Sequence, residues 1–485
     1  MSAVAAASRF SATDLPALAC RRWATLSSFL FADFLALSLS GSAAVLVRYV
    51  LNGKFVPAEY LPFAPGLLLF FGVFAAMGLY PGIGVNPVSE FRRIVVGTGI
   101  SYLLIIAATF FAKESVLYSR IIFLFAGALS VFLLLTFRWM VRYWCSSRAW
   151  WGIPTVILGA GETGRGVLKI LRSQPKLGFR PIALLDHGMQ QIDMLEDRAS
   201  KTIVGDLSLA PVFARMHRSC YAIVTMPDLS SQQLADVVSD YASDFSHVLL
   251  IPDFFGFSSL WVSAKDVGGV LGLEVSQILV HRLPQIIKRA FDLVVGIGGT
   301  LFLLPLLVIL YSAVRFTSSG PVLYGQRRIG RGGRGFTAWK FRSMVVDADE
   351  TLHIHLKRDP ELRAQWRLDH KLKNDPRVTR VGKFLRKTSL DELPQIWNVL
   401  CGEMSLVGPR PIVKEEIDKY GKRFELYCKV RPGITGMWQI SGRNNTTYEA
   451  RTQFDEYYVR NWSVWLDLFI LMRTVKTVAL AQGAY

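Results

Sequence analysis

Four apolar runs, separated by short polar connectors, fill most of the N-terminal third of the chain: Ala24–Val47, Leu61–Tyr80, Ile94–Ala112 and Ile121–Phe137. Each is close to the ~20 residues needed to cross ~30 Å of hydrocarbon. The pattern therefore predicts a four-helix transmembrane bundle over 21–142, behind an N-terminal cytoplasmic tail at 1–20. Arg9, Arg21 and Arg22 precede the first run, Arg92 and Arg93 separate the second from the third, and Arg138, Arg142 and Arg148 follow the fourth. The other connectors carry only Arg48 and Lys54, then Lys113 and Arg120. This asymmetry places both ends of the bundle on the cytoplasmic side. Asp33, inside the first run, is expected to face the bundle interior, because a charge facing lipid is costly.

A fifth apolar run, Phe291–Val314, differs in having Gly296, Gly298, Gly299 and Pro305 inside it and basic residues on both flanks. Proline lacks an N–H and crowds the carbonyl four residues earlier, so a bend is expected at Pro305. Basic flanks on both sides predict a re-entrant helix over about 291–314 rather than a fifth crossing.

Between these regions the period changes. "TVILGAGETGRGVLKIL" followed by "FRPIALLDHG" reads as strand, glycine turn, helix and strand. Gly159, Gly161, Gly164 and Asp186 fit the dinucleotide fingerprint, with glycines that would admit a phosphate to a helix N-terminus. Further alternation through "AIVTMP" and "HVLLIPD" predicts a Rossmann-like α/β domain over 150–275, of the kind that binds NAD or CoA. The turn serves packing equally well, and fold does not fix function. A nicotinamide-dependent nucleotide-sugar dehydratase or epimerase would need a Tyr-x-x-x-Lys pair. None of the sixteen tyrosines has Lys four positions on, and Tyr427 offers only Arg431.

Composition narrows the field. The 485 residues are 51% hydrophobic yet carry a net charge of +18, which suits a membrane protein with a basic cytoplasmic face. Nucleic acid is the competing partner for so basic a chain, in a non-enzymatic scaffold or binder. Five scattered cysteines without a CxxC argue against a disulfide framework or a zinc site and suit a reducing compartment.

The C-terminal part is dense in arginine held near proline and glycine. "GQRRIGRGGRGFTAWKFRSM" predicts a hairpin presenting Lys340; "SLVGPRPIV" sets Arg410 between two prolines; "VRPGITGMWQISGRNN" carries Arg431 and Arg443. Guanidinium forks held this firmly match phosphate oxygens. The last stretch, "NWSVWLDLFILMRTVKTVAL", reads as an amphipathic helix in the headgroup layer.

Within "RKTSLDELPQIWNVL" lies an acidic pair, Asp391-Glu392. Ser389-Leu390-Asp391-Glu392 fits a capping box. Pro394 is awkward deep in a helix, so a helix should start near Asp391. The same pair fits phosphoryl transfer, with Asp as nucleophile and Glu as a ligand for Mg²⁺.

Residues from about 285 to 485 resemble the bacterial sugar transferase family, the monotopic phosphoglycosyl transferases. The resemblance rests on "KRAFD", "YGQRRIG", "WKFRSM", "LKNDPRVTRVGKFLRKTSLDELPQIWNVL", "GEMSLVGPRP" and "RPGITGMWQISGRN". The wider plan, with "GLYPG" after the second run and "GAY" at the end, is similar to members that move galactose-1-phosphate to undecaprenyl phosphate. Glucose is the rival sugar. The resemblance implies that Asp391 attacks the sugar-bearing phosphate of a UDP-sugar and releases UMP. It implies that Glu392 binds Mg²⁺, that Lys340, Arg386, Arg410 and Arg443 surround the phosphates, and that Pro305 breaks the re-entrant helix. Where the family often has Ser before that proline, this chain has Leu304, so a hydroxyl that could bond a backbone carbonyl at the bend is missing. The implied partners are UDP-sugar, undecaprenyl phosphate and membrane lipids, with no nucleic acid; a homodimer is compatible with the sequence. The expected architecture is membrane α plus α/β: bundle, Rossmann-like middle domain, and an α+β catalytic domain over 285–485 at a bacterial inner membrane.

Overall fold

Backbone polar groups in hydrocarbon must be satisfied internally, as a helix does within a single segment. The computed structural model has α1 (Arg22–Leu51), α2 (Gly66–Ala76), α3 (Pro87–Phe111) and α4 (Arg120–Cys145) at the four apolar runs. The structure describes residues 22–51, 60, 64–111, 120–148, 150–187, 193–197, 200–216, 220–251, 262–267, 270–275, 279, 281–358, 375, 377–441 and 447–479. The chain divides into two units, 1–255 and 256–485.

In the first unit, α1, α3 and α4 are long and apolar enough to cross a membrane. α2 has 11 residues, about 16 Å at the α-helical rise, which is shorter than the run it came from. Pro65 precedes its start and Gly78, at φ 68°, turns the chain just past its end.

Asp33 is fully buried among these helices, as its chemistry required. It takes two hydrogen bonds from Arg138, Nε to Oδ1 at 2.8 Å and Nη2 to Oδ2 at 2.5 Å. Arg138, read from sequence as one of the basic residues that follow the fourth run, is 1% exposed and lies within α4. Two carboxylates draw it inward, the second being Glu90 at 3.1 Å. Arg142 closes the group on Glu90 at 2.7 Å and donates to the Gly82 carbonyl at 2.9 Å. Two acids thus balance two guanidiniums in an apolar interior, where an unpaired charge would be costly.

The α/β part comprises β1 (Ile153–Leu158), α5 (Glu162–Ser173), β2 (Phe179–Asp186), β3 (Asp193–Asp197), β4 (Ser200–Asp206), α6 (Ala210–Met216), β5 (Tyr221–Val224), α7 (Ser231–Val237) and β6 (His247–Leu250). Its six strands lie in the order β3-β4-β2-β1-β5-β6, parallel except for β3. All of β1 is buried, as a parallel strand covered on both faces must be. In the glycine turn, Gly159 adopts φ 108°, and a side chain at Gly164 would run into the Gly159 carbonyl. Gly161 caps α5 with open space around it. Asp186, read from sequence as part of the dinucleotide fingerprint, accepts the N–H groups of Ala160 and His187, each at 2.8 Å, and closes the turn itself.

The second unit contains the hairpin β7 (Val262–Val267) and β8 (Val270–Val275), and then α8 (Arg282–Thr317), a 36-residue helix with Pro305 inside it. The buried residues of α8 are Lys288, Asp292, Gly296, Leu310 and Val314, on one stripe. Leu301, Phe302, Val308 and Ile309 are exposed. There follow the hairpin β9 (Leu323–Ile329) and β10 (Gly335–Phe341), α9 (Ala348–Arg358), α10 (Arg380–Thr388), α11 (Gln395–Cys401), β11 (Ser405–Val407), α12 (Ile417–Tyr420), α13 (Arg423–Cys428), β12 (Gly433–Thr435), α14 (Met437–Ser441), α15 (Tyr448–Arg460) and α16 (Val464–Ala479). β11 and β12 pair in parallel.

The terminal helix differs from its headgroup-layer reading. Trp462, Leu466, Asp467 and Ile470 are buried, while Met472 and Val475 stay exposed. Asp467 is the reason: it accepts from Lys288 Nζ at 2.8 Å, Tyr458 Oη at 2.7 Å and Trp462 Nε1 at 3.0 Å. A charge so thoroughly bonded belongs to the core and brings its helix with it.

Candidate functional site

The acidic pair sits in the narrow connection between α10 and α11. Thr379 caps α10, its Oγ1 accepting the Gly382 N–H at 2.9 Å. Ser389 ends that helix in the left-handed region, at φ 55°. A single 3₁₀ turn, Leu390–Glu392, follows, and Pro394 occupies the position before α11. The capping-box reading is corrected here. Ser389 makes no side-chain cap bond, and Glu392 Oε1 instead receives Lys340 Nζ at 2.7 Å.

Asn398 sets that contact. Fully buried on α11, it accepts the Trp339 N–H at 3.1 Å and donates to the Thr337 carbonyl at 2.7 Å. Those bonds clamp α11 to β10, the strand that carries Lys340. Arg386, on the last turn of α10, donates through Nε to Ser343 Oγ at 2.9 Å.

Arg410 is held from three directions. Prolines flank it, its guanidinium lies 5.2 Å from the Trp438 ring, and its backbone N–H bonds the buried Asp455. Cation–π contact with indole fixes both the distance and the orientation of the fork. Burial pushes Asp455 up to about 7, with the Tyr420 hydroxyl bonded to it at 2.7 Å.

A cleft is lined by Arg328, Ala338, Lys340, Glu392, Gln395, Arg410, Pro411, Ile434 and Gln439. Three cations face one carboxylate there, which favours an anionic ligand. Asp391 is not among the lining residues, but its charge is felt from Lys340, Arg386 and Glu392. Burial, and then the Glu392 charge, push the Asp391 carboxyl up to about 6. Burial also opposes ionisation of Glu392, yet Lys340 and Arg410 prevail and hold it below the usual carboxylate range. Neighbouring acids with separated titrations are suited to different tasks.

The structure therefore brings Lys340, Arg386, Asp391, Glu392 and Arg410 into one neighbourhood. Arg443 lies outside the described residues. Arg431 is not part of the cleft; its Nε donates to the Gly402 carbonyl at 2.7 Å, a structural tie. Arg328, Gln395, Asn398, Trp438 and Gln439 were missed. Only Arg328 had a legible signal, since it pairs across the hairpin with Phe336 and lies two positions from Gln326, which faces Ala338. Among the described residues no group of three metal-binding side chains occurs. A pair of carboxylates beside a phosphate is still a donor set that Mg²⁺ accepts.

Comparison with known proteins agrees with this geometry. The bacterial sugar transferase family matches residues 283–481, and the CoA-binding domain family matches 75–252. The undecaprenyl-phosphate galactose phosphotransferase of Salmonella typhimurium is 36% identical over 389 residues, covering 76% of this chain and 77% of that one. The UDP-galactose-lipid carrier transferase of Erwinia amylovora is also 36% identical over 389 residues, covering 76% of each chain. A UDP-glucose:undecaprenyl-phosphate glucose-1-phosphate transferase of Klebsiella pneumoniae is 34% identical over 335 residues, covering 67% of this chain and 68% of the other. With both cationic cleft and acidic turn inside the matched region, the chain belongs to the bacterial sugar transferase family.

Proposed function

We propose that this protein is a phosphoglycosyl transferase that moves galactose-1-phosphate from UDP-galactose to undecaprenyl phosphate, releasing UMP, as a first membrane step in building a surface polysaccharide. The observation that carries the reading is the 390–392 turn. It sets a carboxyl raised to about 6 next to one held ionised, among Lys340, Arg386 and Arg410. Galactose is preferred because the two relatives named for it match more of the chain, at higher identity, than the glucose enzyme does.

In the first step an Asp391 carboxylate oxygen attacks the sugar-bearing phosphorus. A new P–O bond forms, the bond to the bridging oxygen breaks, and UMP leaves with that oxygen. In the second step a phosphate oxygen of undecaprenyl phosphate attacks the same phosphorus. The aspartyl–phosphorus bond breaks, the carboxylate is restored, and the sugar is carried as a lipid diphosphate. Arg410 and Lys340 offset the negative charge of the phosphates, with Arg328 beside them. Glu392 would hold Mg²⁺, which, when bound, neutralises phosphate charge.

We place α8 in one leaflet as a re-entrant segment. Lys288 and Asp292, before Pro305, bond Asp467 and the Leu406 N–H; Leu310 and Val314, after it, pack with Val322, Phe341 and Leu385. Both halves thus lie on the same unit, whereas a straight crossing would put their ends on opposite sides of ~30 Å of hydrocarbon. The catalytic unit then works on the cytoplasmic side of the inner membrane, where UDP-sugars are made.

The nicotinamide-linked alternative is not favoured, because Asp186 is occupied by its own turn. The test is UMP release by purified protein with undecaprenyl phosphate and Mg²⁺, offering UDP-galactose and UDP-glucose in parallel, with Asp391→Asn alongside. Release that survives in the variant would defeat the mechanism.

A further inference from the structure

Arg410 lies in the link between β11 and α12, where residues 408–413 form neither a helix nor one of the paired strands. Such a link aims a side chain only if its backbone is bonded from outside. Three elements do this. Asp455 of α15 takes the Arg410 N–H. Ile329, at the end of β9, donates to the Ile412 carbonyl at 2.8 Å, and Glu416 takes the Val413 N–H at 3.1 Å. The two carboxylates share a cationic neighbour, Arg451 of α15. Its Nη1 donates to Glu416 Oε1 at 3.2 Å, and its charge acts on Asp455, one helical turn on. Arg451 is 8% exposed and is not among the residues that line the cleft. Its Nε and Nη2 are buried without an acceptor among the described residues. Aromatic rings hold that side of the guanidinium instead: Tyr448 at 5.0 Å and Trp438 at 5.1 Å. Trp438 is also the ring against which Arg410 lies, at 5.2 Å. Two guanidiniums on one indole repel each other, and Glu416 and Asp455 offset that repulsion. A staple between α15 and the start of α12 would need Glu416 alone; the shared ring and the Asp455 bond both lead to Arg410.

We propose that Arg451 is a positioning residue for the transfer reaction: acting through Trp438 and Glu416, it aims Arg410 at the phosphates of the substrate. The inference rests on the transferase reading and on Arg410 meeting a phosphate there. Arg451 itself touches no substrate. With its guanidinium removed, the indole loses one of its two cations and Glu416 loses its ion-pair partner. The Val413 end of the link is then less firmly held, and Arg410 spends less time in the orientation that meets a phosphate.

A double-mutant cycle on the full chain tests this, with UMP release and UDP binding as separate readouts. Arg451→Met should lower kcat/KM for UMP release about tenfold and weaken UDP binding by a similar factor. In the Arg410→Gln background the same substitution should change either quantity less than about twofold, since its route to the substrate is already cut. Arg451→Lys keeps the charge opposite Glu416 but not the planar fork, and should show an intermediate loss. An equal effect of Arg451→Met in both backgrounds would overturn the proposal, because a residue that only stabilises the fold acts independently of Arg410. No effect in the native background would overturn it too. If Arg451→Met does not fold, Arg451→Lys runs the same cycle and the same comparison decides. Absence of UMP release from the native chain would strike the transferase reading instead, and the UDP-binding cycle would still decide the positioning.

Discussion

Lys340 Nζ lies 2.7 Å from Glu392 Oε1, joining the β9–β10 hairpin to the 390–392 turn. The pair is about a quarter exposed, so its direct worth to stability is modest. Its consequence is electrostatic. Burial, and then the Glu392 charge, push the neighbouring Asp391 carboxyl up to about 6, while Lys340 draws it back down.

The pH profile follows from that value. Below pH 6 the Asp391 carboxyl is protonated and cannot attack phosphorus, so kcat/KM should fall about tenfold per pH unit on the acid side. Replacing Lys340 with Gln removes a charge that lowers the Asp391 value, so the acid limb should move to higher pH. A limb that stays in place would show that the charge of Lys340 is not felt at Asp391.

Asp391→Asn should reduce turnover by on the order of 10⁴ while leaving the thermal unfolding midpoint near the native one. The structure supports the second half, because neither Ser389 nor Asp391 caps a helix through its side chain. Turnover and a melting curve on the same preparation check both parts.

Asn398→Leu should destabilise the catalytic unit by about 2 kcal/mol or more, since it strands the Trp339 N–H and the Thr337 carbonyl. Activity should fall further than stability explains, because β10 and Lys340 lose their register against Glu392. Denaturant unfolding alongside steady-state kinetics separates the two effects.

In the bundle, Arg138→Met leaves Asp33 buried and short of its partner, a loss of about 3–5 kcal/mol. Combining it with Asp33→Leu should recover part of that, because a paired removal strands fewer charges. Glu90 retains Arg142 in both variants. A double-mutant cycle on thermal stability in detergent measures the coupling.

Chelation should stop UMP release, and added Mg²⁺ should restore it, with little change in unfolding temperature. The described residues offer no three-ligand cage that would make the ion structural. A large fall in stability on chelation would instead mark a structural metal.

Much was legible along the chain because it depends on local order. Apolar runs of membrane length need no partner to declare themselves, and α1, α3 and α4 lie where they fall. The strand–glycine–helix pattern marked the parallel sheet, since β1 is apolar throughout and Gly164 tolerates no side chain. The family motifs named Lys340, Arg386, Asp391, Glu392 and Arg410. Tertiary structure decided which charges have partners, and that turns on distances between segments far apart in sequence. Arg138 showed no partner along the chain; packing sets Asp33, 105 positions away, against it. The last helix looked interfacial until Lys288, 179 positions from Asp467, fixed it in the core. Asp186 suited a cofactor until the Ala160 N–H took its carboxylate. A sequence shows which residues can bear charge and where the chain prefers to turn; only packing sets the desolvation and the neighbouring charge that separate Asp391 from Glu392.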